Sequence, residues 1–270
     1  MVNRIHWAKA LAAAISNACL PWHCALCAAR CRESLCPHCA RLLAQQRIDC
    51  FLTCERCALP LTLPNASLCA DCQQSTPVFS SCTAATVYNP LVGRLVNGLK
   101  HHRELFQAPI LSDLLYTSLL RRSLASTRDA GIAAPIDLLL PVPLHPQRLR
   151  ERGFNQALEI AKPLALRLRI PLERFACVRT QSTSSQQGLA RAARTANMRG
   201  VFRCDQSVQQ KCVAIIDDVM TTGSTVDAVA HAVLLAGASS CEVWCVARTA
   251  EPGAAPLRIK ATRCEHKTAL

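Results

Sequence analysis

The sequence predicts an α/β protein, a doubly wound parallel sheet preceded by a small cysteine-rich module. From residue 82 onward, apolar runs of strand length alternate with patterns of helical period, the order that a parallel sheet with crossover helices requires. The apolar run at 213–216 is followed by two acids, a loop of small residues and a helix. Before residue 73, cysteines recur in closely spaced pairs. These observations place the cysteine-rich module first and the sheet second.

Composition narrows the class of protein. The 270 residues allow one or two domains with a substantial core, and half of them are hydrophobic. No apolar run reaches the roughly 18 residues of a membrane-spanning helix, so no span is predicted. The formal net charge of +13 favours an anionic partner. Eighteen cysteines exceed what packing needs, which leaves disulfides outside the cell or metal inside it.

The first twenty residues allow two interpretations. Arg4 and Lys9 precede an apolar stretch, as basic residues do in a cleaved signal peptide. Ser16 and Asn17 interrupt that stretch, which favours an amphipathic helix over residues 1–20. We therefore expect the helix.

The cysteine-rich module, expected over 21–76, carries four CxxC pairs. Each pair places two thiolates on one turn, and two pairs complete the tetrahedral shell of a structural zinc ion. Eight cysteines therefore predict two zinc ions in a double zinc-ribbon module. Pairing of neighbours gives two sets, which are Cys24, Cys27, Cys36 and Cys39, then Cys54, Cys57, Cys69 and Cys72. Crossed pairing stays open at this stage, and the polar stretch 73–81 is expected to be a linker.

The second domain is expected over 82–250, with a strand at 82–88 first. Pro90 opens a helix with one apolar face, and the helix ends in a basic cluster at 100–103 that suits its dipole. The further elements expected are an apolar helix at 108–124, strands at 136–140, 213–216 and 240–247, and helices that end near 168 and 237. The tail 251–270 shows no periodicity and is expected to be disordered.

The loop after the strand at 213–216 is the strongest candidate binding site. Asp217 and Asp218 close the strand, and small hydroxyl-bearing residues lead into the next helix. A loop at a helix N-terminus offers backbone N–H groups to an anion, which the helix dipole also favours. Carboxylates beside it suit sugar hydroxyls or the waters of a Mg²⁺ ion. The lysine of a Walker loop is absent.

This stretch resembles the phosphoribosyl pyrophosphate (PRPP) motif of type I phosphoribosyltransferases. The resemblance implies that Asp217 and Asp218 hold the ribose hydroxyls. It also implies a 5′-phosphate loop made of Val219, Met220, Thr221, Thr222, Gly223, Ser224 and Thr225. The expected sheet is therefore of type I phosphoribosyltransferase kind, and Mg²⁺ is expected to accompany PRPP or a similar sugar phosphate. Because PRPP is made and kept in the cytoplasm, the protein is expected to be cytoplasmic.

A second anion site is expected after the strand at 136–140. Ligands of open parallel sheets sit outside the carboxyl ends of the strands, so this loop and the 219–225 loop can face one cleft. Arginine offers bidentate hydrogen bonds that match phosphate. The candidates for the pyrophosphate side are Pro143, Leu144, Arg148, Arg152 and Lys100, and Lys100 has the alternative role of complementing the helix dipole. The candidates for nucleic-acid contact are Arg150, Arg179, Arg191, Arg194 and Arg199.

Three longer motifs carry a resemblance over most of residues 20–248. They are PVPLHPQRLRERGFNQA at 141–157, the arginine-rich segment 179–202 and VAIIDDVMTTGSTV at 213–226. With the paired CxxC knuckles, they resemble the ComF family. The resemblance implies a zinc-binding front end on a phosphoribosyltransferase-like domain. It also implies a role in handling single-stranded DNA during natural transformation, alongside other DNA-uptake proteins.

Two main functions follow from these patterns. The first is a DNA-handling protein that binds PRPP or a related phosphorylated ribose. The alternative is an active, Mg²⁺-dependent phosphoribosyltransferase that transfers phosphoribose to an unidentified base. A PRPP-sensing regulator is a third hypothesis, without a helix-turn-helix pattern to support it. No motif names an acceptor base, which favours the first function.

Overall fold

A computed structural model describes residues 22–126, 135–180 and 200–258. The helix expected over 1–20 lies outside these residues. The chain divides into two compact units, Met1–Gln45 and Gln46–Leu270. The sequence placed the end of the cysteine-rich module at residue 76, whereas this division assigns the second half of the expected module to the unit that contains the sheet.

The described part of the first unit, residues 22–45, is a short hairpin followed by a helix. Strand β1 (Trp22–His23) pairs antiparallel with β2 (Arg30–Cys31), and helix α1 follows at Pro37–Ala44. Cys36 lies at the N-cap of α1, where its sulfur accepts a hydrogen bond of 3.5 Å from the backbone N–H of Cys39. Pro37 occupies the first turn, where its missing N–H removes no intrahelical bond.

The second unit alternates strands and helices. Its strands are β3 (Cys82–Val87), β4 (Leu138–Pro141), β5 (Cys177–Arg179), β6 (Phe202–Cys204), β7 (Cys212–Met220) and β8 (Ser240–Arg248). Its α-helices are α2 (Ala70–Gln74), α3 (Pro90–His102), α4 (Gln107–Ser126), α5 (Pro146–Arg152), α6 (Gln156–Leu168) and α7 (Ser224–Leu235). Two short 3₁₀ turns lie at Ile48–Cys50 and Gln206–Val208.

The main sheet has the strand order β3–β8–β7–β4, and all four strands run parallel. Strands of this kind are buried on both faces, which explains the uninterrupted apolar run with which β7 begins. Leu139 of β4 also forms a parallel bridge with Leu172, so the chain after α6 continues the sheet edge. The order confirms the parallel sheet that the alternating pattern predicted.

Helices cover both faces of this sheet, which is the arrangement called doubly wound. Val213 and Ile215 of β7 belong to one hydrophobic cluster with Val229 of α7 and the hairpin formed by β5 and β6. Successive side chains of a strand point to opposite faces, so Ala214 and Ile216 face the other side. Helices α4 and α6 pack against each other and against the sheet there, outside that cluster.

Strand β7 is longer than the apolar run from which it was predicted. Asp217 and Val219 have parallel partners in β8, Cys245 and Ala247, so both acids lie inside the strand rather than beyond its end. Hydrogen bonding to a neighbouring strand overrides the low strand propensity of aspartate. The two carboxylates are therefore carried by a rigid element.

The segment with Arg148 and Arg152 was expected to be a loop and is instead helix α5. Pro146 stands in its first turn, the Nδ1 of His145 accepts from Gln147 N–H at 3.3 Å, and Gly153 ends the helix at φ +87°. The next helix begins at Asn155. Its side chain caps α6 and donates to the Val142 carbonyl at 2.9 Å, which ties the loop after β4 to α6.

Two stretches without a regular pattern are bonded to the sheet unit. In the expected linker 73–81, the Val78 N–H donates to Asp227 Oδ1 at 2.9 Å and the Ser80 N–H donates to the Cys241 carbonyl at 2.8 Å. In the expected disordered tail, residues 251–258 are described, and Leu257 exchanges backbone hydrogen bonds of 2.9 Å with Leu52 and Leu61. Residues 259–270 lie outside the described part.

No helix among the described residues combines the length and the apolarity needed to cross a bilayer.

Candidate functional site

The loop between β7 and α7 has the backbone shape of an anion site. Gly223 adopts φ +82°, a left-handed conformation that favours glycine, and a Cβ atom there would also displace the end of the Met220 side chain, 2.7 Å away. The Thr222 and Ser224 hydroxyls lie 2.9 Å apart. Gly223 itself has no side chain to cap α7, and the Thr222 hydroxyl accepts from the Ser224 N–H at 3.4 Å. Backbone N–H groups and hydroxyls at this helix N-terminus can therefore be directed at a ligand.

The two acids beside this loop are buried and differ in environment. Asp218 is paired with the ammonium of Lys100, which stands in the last turn of α3. Asp217 Oδ1 accepts a 2.9 Å hydrogen bond from the Asp218 N–H. Burial raises the pKa of Asp217 well above its ordinary value, and the charge of Asp218 raises it further, while Lys100 opposes both effects. The site can thus carry one paired carboxylate next to one that resists ionisation.

Cations converge on the same end of the sheet. Burial lowers the pKa of Arg152, the charge of Asp218 opposes that shift and Arg148 adds to it, which brings all three groups within electrostatic reach of one another. Burial also lowers the pKa of Arg179, and Arg148 again contributes. Arg103 at the end of α3 donates to the Glu151 carbonyl of α5 at 3.3 Å, which ties the two cation-bearing helices together.

The structure thus brings together most of the predicted site. Lys100 and Arg152 lie by Asp218, Arg148 lies by Arg152 and Arg179, and Arg179 joins the cleft group rather than a separate basic surface. Pro143 and Leu144 are half-buried in the loop after β4. Arg150 is exposed on α5, two residues from each of its neighbouring arginines and therefore on the opposite side of the helix. Arg191, Arg194 and Arg199 lie outside the described residues.

Residues 219–225 differ in how far their side chains are exposed. Met220 is buried, and its sulfur lies 3.6 Å from that of Cys82, so its side chain belongs to the core and only its backbone belongs to the loop. Val219 and the residues 222–225 are half-buried, and Thr221 is exposed. The accessible surface of the loop is therefore formed by the small hydroxyl-bearing residues.

The eight paired cysteines form two clusters by neighbour pairing. Within each set of four, Cys24 to Cys39 and Cys54 to Cys72, all sulfur atoms lie within 4.8 Å of one another. The Cys27–Cys36 and Cys57–Cys69 sulfur separations are 3.7 and 3.6 Å. A tetrahedral shell with Zn–S bonds of about 2.3 Å separates its sulfurs by about 3.8 Å. Both clusters therefore fit zinc, and the crossed pairing is excluded.

The two clusters differ in their surroundings. In the first, Cys27 is exposed. In the second, all four cysteines are buried, and they share one hydrophobic cluster with Phe79, with strands of the sheet and with α7. The second cluster, Cys54, Cys57, Cys69 and Cys72, is consequently part of the core on which the sheet rests.

Arg248 is a site residue that the sequence analysis missed. It ends β8 and is 2% exposed, and it donates both to the knuckle of the second cluster and to carbonyls at the start of the 221–225 loop. The signal for it was one charged residue that directly follows the apolar run of a predicted strand.

Comparisons with known proteins connect this site to a family. The DNA utilization protein YhgH of Salmonella typhimurium is 34% identical over 230 residues, which are 85% of this chain and 97% of that protein. The chain belongs to the ComF family. The YhgH protein of Escherichia coli is 35% identical over 196 residues, 73% of this chain and 84% of that protein. Competence protein F of Haemophilus influenzae is 28% identical over 210 residues, which are 76% of this chain and 88% of that protein.

Other comparisons add less. No protein-family model matches the sequence. Among solved structures, a purine phosphoribosyltransferase from Pyrococcus horikoshii is 17% identical, with a TM-score of 0.31 over 54% of this chain and 78% of that one. The Trypanosoma cruzi hypoxanthine phosphoribosyl transferase is 13% identical, with a TM-score of 0.34 over 57% of this chain and 72% of that one. Structural similarities with TM-scores this low establish neither fold nor function. The fold of this ComF-family chain is therefore assigned from its strand order.

The cluster geometry predicts about two zinc ions per chain. Changing Cys36→Ser with Cys39→Ser should remove about one equivalent, and Cys69→Ser with Cys72→Ser should remove the other. Because the second cluster lies in the core of the sheet unit, only the second pair should lower the melting temperature of that unit, by about 10 °C for a loss of about 3 kcal/mol. Elemental analysis and calorimetry measure both effects. Two equal, small destabilisations would contradict the difference between the clusters.

The raised pKa of Asp217 predicts a pH-dependent stability. The folded protein keeps this proton at pH values where the unfolded chain has released it, so the contribution of Asp217 is most favourable below its ordinary pKa of 3.8. That contribution falls as the pH rises from there towards the raised folded pKa. Asp217→Asn should therefore gain stability relative to the wild type as the pH increases from 5 to 8 in urea unfolding. The exposed-residue control Asp113→Asn should not, and a constant difference for Asp217→Asn would contradict the burial of this carboxyl.

Proposed function

We propose that this chain binds PRPP, or a related phosphorylated ribose, at the carboxyl ends of β4 and β7 and serves in the handling of single-stranded DNA. The observation that carries the proposal is the buried Asp218 paired with Lys100, close to Arg152 and next to the glycine-containing loop. Acid, cation and anion loop at one end of a parallel sheet are what a phosphorylated sugar with a pyrophosphate group needs.

The 5′-phosphate would lie at the N-terminus of α7. The Thr222 and Ser224 hydroxyls already lie 2.9 Å apart, and Gly223, in the positive-φ conformation that favours glycine, presents no Cβ atom where the phosphate would approach. Partial positive charge at the start of the helix favours the anion there. The ligand would therefore be fixed at one end by backbone and hydroxyl groups rather than by a full charge.

The ribose and pyrophosphate would exchange partners with the ion pair already present. Lys100 is paired with Asp218, and its side chain is 22% exposed, so it can reach an incoming pyrophosphate. Asp218 would then accept from a ribose hydroxyl in place of the ammonium. Arg152 and Arg148 add charge on the pyrophosphate side, and Mg²⁺ would screen the phosphates. Each buried charge thus keeps a partner before and after binding.

The link to DNA comes from the family. Two of the relatives are named for DNA utilization and one for competence. The net charge of +13 supports contact with a polyanion, and exposed Arg148 and Arg150 on α5 offer such contacts beside the cleft. Aromatic residues make up only 4% of the chain, so base stacking would contribute little and backbone contacts would dominate.

Asp218→Asn tests the ligand site. Removing the charge from one hydrogen-bond acceptor of the ribose should weaken PRPP binding by about 10- to 100-fold, since hydrogen bonds to charged groups contribute about 1.5–3 kcal/mol. Isothermal titration with PRPP and Mg²⁺ measures this change. Asp113→Asn is the matched control, because it removes an exposed ion pair with Arg167.

The outcome also separates binding from transfer. Equal affinity of Asp218→Asn and wild type would contradict the proposed ribose site. Release of pyrophosphate from PRPP on addition of a nucleobase would establish the alternative, phosphoribosyl transfer, at the same site. Binding without release, across the common bases, would favour a role that stops at recognition.

Single-stranded DNA should bind weakly, without sequence preference, and with a steep decrease in affinity as salt increases. Fluorescence anisotropy of a labelled oligonucleotide at about 50 mM and about 200 mM salt measures this dependence. Adding PRPP with Mg²⁺ should displace the oligonucleotide if DNA contacts Arg148 and the cleft. No binding at the lower salt concentration would exclude the DNA-handling part of the proposal while leaving the sugar-phosphate part intact.

A further inference from the structure

Arg248 is a fully buried guanidinium at the carboxyl end of β8. It is 2% exposed and lies opposite Met220 in the register of β7 and β8. A buried guanidinium is stable only if its N–H donors find acceptors. In the described part of the chain its hydrogen bonds go to backbone carbonyls and one sulfur atom, and no carboxylate is bonded to it.

One side of the guanidinium contacts the second cysteine cluster. Its Nε donates to the Cys57 carbonyl at 3.0 Å, and its Nη2 lies 3.8 Å from the Cys57 sulfur. Cys57 belongs to the CxxC knuckle that begins at Cys54. Four thiolates around a divalent ion carry a net charge of about −2, and N–H donors to the sulfurs stabilise such a centre.

The other side holds the beginning of the 221–225 loop. Nη1 donates to the Met220 carbonyl at 3.1 Å, to the Thr221 carbonyl, and to the Thr249 carbonyl at 3.2 Å. The Thr249 N–H also donates to the Met220 carbonyl at 3.1 Å. The turn at which the chain leaves β7 is therefore fastened to the same planar group that contacts the cysteine knuckle.

We infer that Arg248 positions the 221–225 loop and couples its geometry to metal in the second cysteine cluster. With zinc bound, the anionic centre holds the guanidinium in place, and the guanidinium holds the two loop carbonyls. Without the metal, the backbone of the knuckle would no longer be fixed by its ligand bonds, so the Cys57 carbonyl would no longer hold the guanidinium in place and the loop would lose its anchor. The coupling concerns the shape of the loop, and it rests on the proposed function only in its consequence for phosphate binding.

Hydrogen exchange of the loop tests this inference without any ligand. In full-length protein, peptides that cover 219–226 should exchange at least about tenfold faster in Cys69→Ser with Cys72→Ser and in Arg248→Met than in the zinc-loaded wild type. Cys36→Ser with Cys39→Ser should leave the loop unchanged. Arg56→Met is the matched arginine control, because Arg56 lies in the same knuckle but donates to the Ser80 carbonyl at 2.6 Å instead of to the loop.

Arg248→Lys distinguishes a positioning role from simple packing. Lysine keeps the positive charge near Cys57 but lacks the planar fork that reaches both sides. It should therefore retain zinc against a chelator better than Arg248→Met, while its loop exchanges as fast as in Arg248→Met. If Arg248 only filled space, Arg248→Lys would change zinc retention and loop exchange together, in the same direction.

The outcomes are decisive in either direction. Unchanged loop exchange after loss of the second zinc, with the strand peptide 213–216 still protected, would overturn the coupling. If the cysteine variant unfolds, Arg248→Lys decides the question. Loop exchange as slow as in the wild type, in a folded Arg248→Lys protein that retains its zinc, would then overturn the coupling. By reciprocity, saturating PRPP with Mg²⁺ should raise the zinc affinity of the second cluster of the wild type. Failure of PRPP to bind at all would contradict the proposed function, and the exchange measurement would still decide the coupling.

Discussion

Two adjacent carboxylates inside a central parallel strand are the constraint on which the functional end of this molecule depends. Strand pairing with β8 fixes Asp217 and Asp218 in the interior, where an unpaired charge would be strongly destabilising. The surroundings compensate in two ways: Lys100 neutralises Asp218, and Asp217 has a raised pKa. The last turn of α3 therefore reaches β7, and a hydrogen bond from Arg103 to the Glu151 carbonyl connects the end of α3 to α5.

How much of this could be predicted depends on the range of the interactions. CxxC spacing is a local signal, and it identified the eight cysteines of the two clusters, while the choice between neighbour and crossed pairing needed the structure. The apolar face that starts at Pro90 and the basic end at Lys100 predicted α3 almost to the residue. The alternation of strands and helices predicted the parallel sheet. In each case the residues that determine the element lie within it.

The features that escaped prediction arise from contacts between distant parts of the chain. Aspartate disfavours strands, so only the register with β8 reveals that β7 continues to Met220. The 73–81 stretch looks like a linker because it is polar, yet Phe79 is buried and Ser80 bonds to Cys241. Arg248 contacts a residue 191 positions away, and no local pattern can indicate such a pairing.

These long-range contacts give the two cysteine clusters different surroundings. The first cluster lies on a hairpin and one helix, and one of its ligands is exposed. The second is part of the apolar core, since its four cysteines belong to one hydrophobic cluster with Phe79 and residues of α7. A metal at that position would do more than fold a small domain, because the guanidinium that donates to the Thr221 carbonyl also donates to the Cys57 carbonyl of the knuckle. The spacing of cysteines thus predicts where metal would bind, whereas the buried guanidinium between knuckle and loop shows what a metal at that position would be connected to.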